Sequence, residues 1–305
     1  MATAVLPPVR AQRARAAAPS VPLAFRLGTS TLSLEVADGE ALRLIEHAYA
    51  LMRCPASGAR ASASLRRLAD GRLHVRYGRQ ALRPASAVDG IPLRAAYHAA
   101  REIFSRFACE PPQTLALYGA LCAVDDGAVL LLGPTTIGKT VLALHLAQQG
   151  ARFLGDETAL LSLAREEVYA LPRRPVLRES ALELLPDVGM AQAVASCANV
   201  FTTERGRFWY ALDRTALGGI EPSDRPYSLR AVCVLSQRAE SACVRRLDPA
   251  DAVKFVAQRA YARPTSLAQI GALRRAMRRA AFFEMTLGTP QESAELLLRE
   301  VRACE

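Results

Sequence analysis

Apolar and polar positions alternate loosely over residues 25–36, which predicts strands, and residues 39–52 set Leu42, Leu44, Ile45, Ala48 and Leu51 at helical spacing. The segment from Leu65 to Tyr77 reads as a hairpin turning at Asp70-Gly71, and residues 91–107 read as an amphipathic helix that ends before Pro111-Pro112. Beyond the proline pair the pattern changes. Residues 115–124 and 128–132 are apolar strand candidates joined by Asp125-Asp126-Gly127, a hairpin signal in which Gly127 supplies positive φ. Residues 140–149 return to helical spacing, with Gly150 as the C-terminal cap. Residues 153–163 read as a strand interrupted by Gly155-Asp156-Glu157. Further strands are expected at 168–171, 207–211 and 229–235, and helices at 250–259, 266–279 and 291–303. The pattern predicts an α/β domain over residues 113–305, preceded by a small accessory α+β module at 21–112 in which no catalytic constellation is visible. Residues 1–20 are rich in Ala, Pro and Arg and hold no acid, so a disordered tail is expected there.

Composition narrows the class. The chain of 305 residues is 51% hydrophobic and 22% charged, which suits a globular protein and not a fibrous or wholly disordered one. A membrane span needs about 18 to 20 apolar residues, and the longest candidate, 115–132, is broken by Asp125 and Asp126, so no membrane partner is expected. Seven cysteines are scattered without a Cys-x-x-Cys pair, and no compact apolar signal core follows the N-terminal charges. Both features point to reduced thiols and a cytoplasmic location. His47, His74, His98 and His145 stand apart, against a histidine-built metal site.

The net charge of +10 is unevenly placed: residues 1–112 hold sixteen basic residues against eight acids, whereas 113–305 are nearly balanced. A solvated arginine-rich face with a loose tail accounts for this, and attraction of an acidic partner is the sharper reading. Of 39 basic residues only Lys139 and Lys254 are lysines, so a lysine here invites a chemical reason.

Lys139 has one. Gly133-Pro134-Thr135-Thr136-Ile137-Gly138-Lys139-Thr140 is a full G-x-x-x-x-G-K-[ST] string placed after an apolar strand and before a helix. In that setting the glycines let backbone N–H groups wrap phosphates and the helix N-terminus adds partial positive charge. Lys139 then reaches the β- and γ-phosphates and Thr140 faces Mg2+. A fortuitous glycine-rich turn is the plain alternative. The second signal is Asp156-Glu157, seventeen and eighteen residues after Lys139. That distance accommodates one helix of about ten residues, roughly 15 Å long, and a return strand, so both acids can come back beside the loop. Adjacent strand residues point to opposite faces unless Gly155 opens a bulge that brings both acids to one cation. An exposed turn pair is the alternative, disfavoured by Phe153-Leu154 and Ala159-Leu160-Leu161 around it.

Tyr118-Gly119, the hairpin, the loop at Gly133 to Thr140, the helix ending at Gly150 and Arg152-Phe153-Leu154-Gly155-Asp156-Glu157 together resemble the catalytic domain of the HPr serine kinase/phosphorylase family. The resemblance extends to its divergent peptide-modifying relatives and, more distantly, to ATP-dependent phosphoenolpyruvate carboxykinase. It covers residues 113–170 and not the N-terminal module. It implies an HPr kinase or carboxykinase-like P-loop fold, ATP and Mg2+ as cofactors, and a homo-oligomer. By the same resemblance Asp156 is general base toward a serine hydroxyl, Thr140, Asp156 and Glu157 hold the metal, and Lys139 neutralises the transferring phosphoryl. Tyr118 stands where those kinases carry histidine, which argues against phosphorylase activity. Thr136 replaces a frequent loop glycine, and the pair is Asp-Glu instead of Asp-Asp.

The expected function is ATP- and Mg2+-dependent transfer of the γ-phosphate to a serine or threonine hydroxyl of a peptide or small protein. A kinase of a small hydroxylated metabolite is the alternative within the class. Outside it stands a catalytically weak nucleotide-binding regulator that uses ATP to control docking by the basic module. Nucleic acid is not the expected partner, because the charge is not interleaved with aromatics, which make up 6% of the chain. Arg173, Arg174, Arg178, Arg205 and Arg207 are candidates to reach the γ-phosphate.

Overall fold

The first described strands are β1 (Leu23–Leu27) and β2 (Ser30–Ala37), an antiparallel pair in which β2 buries alternate residues and β1 buries all but Arg26. Helix α1 (Gly39–Ala48), capped by the Asp38 carboxylate on the Ala41 N–H, carries the chain over to β3 (Ala61–Arg67), parallel to β2. The hairpin of β4 (Leu73–Tyr77) and β5 (Gln80–Leu82) completes a five-stranded sheet in sequential order. Helix α2 (Pro92–Ala108) packs on α1 and on β4. This computed structural model describes residues 22–28, 30–55, 58–68, 70–82, 92–110, 113–203, 206–223, 225–261 and 266–304. The expected tail at 1–20, the proline pair and Arg205 lie outside them.

A nine-stranded mixed sheet follows. Its strands are β6 (Thr114–Tyr118), β7 (Ala120–Val124), β8 (Gly127–Leu132), β9 (Arg152–Gly155), β10 (Thr158–Ser162), β11 (Glu167–Ala170), β15 (Tyr227–Arg238), β16 (Cys243–Arg246) and β17 (Ala281–Leu287). A separate three-stranded sheet has the order β12 (Leu177–Arg178), β14 (Gly206–Trp209), β13 (Val200–Thr203). Helix α3 (Lys139–Gln148) and α7 (Pro290–Arg302) pack on one face of the large sheet, and α5 (Pro249–Gln258) with α6 (Leu267–Ala276) cover the other. Helix α4 (Val188–Ala195) joins Trp209 and Leu144 of α3 in a further cluster. So α3 is apolar on nearly every side because it is enclosed on nearly every side.

Three expectations need correction. The hairpin between β7 and β8 takes its positive φ at Asp125, φ +52, and not at Gly127, which is the first residue of β8. Residues 115–124 do not form one strand: Gly119 divides them, β7 pairing with β8 and β9 while β6 pairs with β10. A Cβ at Gly119 would stand 2.7 Å from the Leu131 carbonyl oxygen, so only glycine lets the chain turn that closely. Strand β17, parallel to β15, and strands β13 and β16 had no counterpart in the pattern. Among the described residues no helix is long and apolar enough to cross a membrane, and all seven cysteines are free thiols.

The N-terminal sheet does not stand apart. Its core of Phe25, Leu34, Ile45, Phe104 and Phe107 is continuous with Leu160, Leu171, Phe201 and Tyr210. This packing sets α2 beside the end of β9.

Candidate active site

Strand β8 is buried at every residue and lies between β7 and β15, so the chain that leaves its end starts from a fixed point. The turn there is tight. A Cβ on Gly133 would meet the Leu235 carbonyl oxygen at 2.8 Å, and Gly138 has φ +119. Thr136 adopts φ +72, the left-handed conformation that a glycine would take freely, so the loop keeps its course and the threonine bears the strain. Helix α3 begins at Lys139, and its N-cap, Gly138, has no side chain to bond the first N–H groups. Arg238 reaches in from β15 and donates to the Ile137 carbonyl at 3.0 Å.

Lys139 is 7% exposed and donates from Nζ to the carbonyls of Gly133 at 3.1 Å and Pro134 at 2.7 Å. Its ammonium lies 4.6 Å from the Tyr118 ring centre, and Thr135 meets the Tyr118 hydroxyl at 3.5 Å. Burial lowers the Lys139 pKa to about 8, with Arg259 adding to the fall and Asp156 and Glu157 opposing it.

The acid pair sits where two neighbouring strands bend together. At Gly119 the chain passes from β6 to β7; at Asp156-Glu157 it passes from β9 to β10, and the Gly119 N–H ties the bends by donating to the Glu157 carbonyl at 3.3 Å. Glu157 has φ +67, and the Thr158 N–H closes a three-residue turn on the Asp156 carbonyl at 2.8 Å. The expected bulge is therefore a sharp turn that lets both carboxylates reach one cation. That cation is Arg173.

Arg173 is 3% exposed and Asp156 4%. Arg173 Nη2 lies 3.1 Å from Asp156 Oδ1, and its Nη1 lies 2.6 Å from Glu157 Oε2 and 2.9 Å from the Tyr97 hydroxyl. The other Asp156 oxygen accepts from the Thr140 hydroxyl at 3.1 Å, joining the network to the phosphate loop. Glu157 also accepts from Tyr97 at 3.3 Å and from Arg101 at 3.2 Å. Burial pushes the Asp156 carboxyl above the usual carboxylate range; Arg173 pulls it down and Glu157 raises it again. Burial disfavours the Arg173 charge, yet Glu157, Tyr97 and Asp156 together hold it well above its ordinary value.

These groups line a cleft of about 360 Å³. Thr135, Thr136 and Gly138 of the loop line it together with Lys139, Thr140, Asp156 and Glu157, and α2 forms a wall through Arg94, Tyr97, His98 and Arg101. The N-terminal segment thus contributes directly to the site, which the sequence pattern did not reveal. A signal was present: these four residues stand at i, i+3, i+4 and i+7, one helix face. Of the arginine candidates, Arg173 binds the acids and Arg178 lines the cleft. Arg174 faces Glu221 at 3.9 Å and Arg207 pairs with Glu179 at 3.1 Å.

The Thr140 hydroxyl and the Asp156 carboxylate are hard oxygen donors side by side at the loop, a set that fits Mg2+, which takes one or two carboxylates together with phosphate oxygens.

No protein family matches the chain, and no curated protein matches its sequence. Among solved structures, the Hpr(Ser) kinase/phosphatase from Coxiella burnetii aligns over 62% of this chain and 94% of its own, at 12% identity and a TM-score of 0.29. A likeness that loose says nothing about activity.

Proposed function

We propose that this chain is a kinase that moves the γ-phosphate of ATP to a hydroxyl group, with serine or threonine of a peptide or small protein as the first acceptor class. The observation that carries the reading is the Thr140–Asp156 contact at 3.1 Å, which sets a buried carboxylate beside the first turn of the helix that follows a full phosphate-loop string. The backbone N–H groups of the loop from Thr135 to Thr140 and the α3 N-terminus hold the phosphates, and Lys139 swings from the loop carbonyls to neutralise the charge that builds on the transferring group. Thr140 and Asp156, with Glu157 as the second carboxylate, would hold Mg2+, which supplies charge neutralisation at the phosphates when bound.

Asp156 accepts the acceptor's hydroxyl proton as that oxygen bonds to the γ-phosphorus. The bond from the γ-phosphorus to the β,γ-bridging oxygen breaks and ADP leaves, so ATP and an alcohol become ADP, a phosphate monoester and the proton. A carboxyl lifted by burial above its ordinary range is a stronger base for that task than a solvated aspartate. Arg173 keeps the two acids converged in a dry site, and Tyr97 and Arg101 hold Arg173 and Glu157 in place. Tyr118 is engaged with Lys139 and Thr135, which supports forward transfer and gives no imidazole for the reverse reaction on a phosphoserine.

The test is transfer of labelled γ-phosphate from ATP, with Mg2+, to peptides and small alcohols. Label on a hydroxyl supports the reading. No label on either class, in a preparation that binds ATP, contradicts it and leaves the nucleotide-gated regulator.

A further inference from the structure

The small sheet β12–β14–β13 also lines the cleft, and one register row of that sheet is unusual. Arg178 on β12 is paired with Phe208 on β14, and Phe208 with Phe201 on β13. The two phenyl rings lie 5.3 Å apart at an interplanar angle of 1°, and the Arg178 guanidinium lies over the Phe208 ring at 5.1 Å. Phe201 in turn approaches Tyr97, whose hydroxyl binds Arg173 and Glu157. Three strands therefore build a stacked row that runs from Arg178 to the acid pair, and every member of it lines the cleft.

The other cationic groups of the cleft are engaged. Arg173 and Arg101 are committed to Asp156 and Glu157, Arg238 to the loop at Ile137, and Lys139 to the loop carbonyls, and Arg94 is not free either. Arg178 has only its aromatic contact: among the described residues no carboxylate lies within ion-pairing distance of it. A planar guanidinium that is stacked at its face keeps its N–H edge free for a carboxylate, which it can grip with two parallel hydrogen bonds. In the kinase reading the nucleotide's phosphates already have the α3 N-terminus and Lys139.

Resting on the kinase reading above, we propose that Arg178 is the acceptor clamp of this cleft, and that the acceptor carries a carboxylate in addition to the hydroxyl that is phosphorylated. That chemistry is offered by a serine peptide with an acidic neighbour and by a small hydroxy acid. The Phe201–Phe208 stack supplies the apolar bed on which the acceptor's backbone or carbon skeleton lies.

The experiment uses two matched pairs: the hexapeptides Ala-Ala-Asp-Ser-Ala-Ala and Ala-Ala-Asn-Ser-Ala-Ala, and glycerate with glyceramide. Transfer is measured with the full chain and with Arg178→Gln. In at least one pair, wild type is expected to use the acid about tenfold better in kcat/KM than the amide, in line with a charge-assisted contact. Arg178→Gln should reduce that preference below twofold with the KM for ATP unchanged. Preference in the peptide pair alone assigns a peptide acceptor, and preference in the glycerate pair alone a small hydroxy acid. Equal use of acid and amide in both pairs overturns the clamp. So does a preference that survives Arg178→Gln, or an ATP KM that rises with it. Binding of the fluorescein-labelled peptides, with glycerate and glyceramide as competitors, separates the two claims. An Arg178-dependent preference without transfer keeps the clamp and removes the kinase; transfer without preference does the reverse. No preference in binding or transfer overturns both.

Discussion

Replacing Arg173 by methionine removes the shared cation of two carboxylates and leaves their burial in place. The Arg173 side chain is 3% exposed, that of Asp156 5% and that of Glu157 11%. Glu157 keeps Arg101, but that side chain is 44% exposed and solvent screening leaves such a pair worth about 0–1 kcal/mol. Among the described residues Asp156 keeps only the hydrogen bond from the Thr140 hydroxyl. Breaking a buried pair from one side costs about 3–5 kcal/mol, and that is the loss of unfolding free energy expected for Arg173→Met near pH 8. The sign of the pH dependence follows from Asp156. Its carboxyl is already raised by burial against the pull of Arg173, so removing Arg173 raises it further. A carboxyl raised in the folded state stabilises fully below its unfolded value, about 3.9, and that stabilisation is lost as pH rises through the folded value. The variant therefore regains stability toward acid, and its deficit against wild type should be larger at pH 8 than at pH 5. Urea unfolding followed by circular dichroism, in EDTA at pH 5, 6, 7 and 8, reads this directly. A deficit below about 1 kcal/mol at pH 8, or one that does not change between pH 5 and 8, would refute the picture of Arg173 as counter-charge to the acids.

Other outcomes follow from the same geometry. Tyr97→Phe removes the hydroxyl that bridges Arg173 and Glu157 and should cost about 1 kcal/mol of stability, with a lower kcat for transfer and an unchanged ATP affinity; urea unfolding and steady-state kinetics check both parts. Because Lys139 titrates near pH 8, affinity for ADP should fall by roughly tenfold per unit as pH rises above that value, and Lys139→Arg should flatten the profile between pH 7 and 9.5; calorimetric titration at each pH measures it.

The strand, loop and helix around Gly133 to Thr140 were legible because every part is local: an apolar strand, a glycine-bounded string and a helix stopped by Gly150, which takes φ +96. The acid pair was legible through chain length alone, since one helix and one strand bring residue 156 back to the loop. What the pattern hid is what tertiary packing decides. Tyr97 and Arg101 belong to a polar helix face that reads as solvated, and only the apolar core shared by Phe104, Phe107, Leu160 and Leu171 turns that face into the cleft. Gly119 reads as one residue of a continuous strand, because the approach of the Leu131 carbonyl cannot be seen from spacing. Strand β17 escaped notice as a short run after an arginine-rich helix, although it pairs with β15 near the sheet's centre. Arg178 was one arginine among 37 until the register of three strands placed it on Phe208.

The central claim is that Asp156 takes the acceptor's proton. It is tested most directly by measuring ATP affinity and γ-phosphate transfer on the same preparations of wild type and Asp156→Asn, with Mg2+ present. The account predicts that Asp156→Asn still binds ATP, more weakly because a metal ligand is lost, and that at saturating ATP and Mg2+ its transfer is reduced by about 10²- to 10⁴-fold, the usual contribution of a positioned general base. Transfer at the wild-type rate in Asp156→Asn would contradict it.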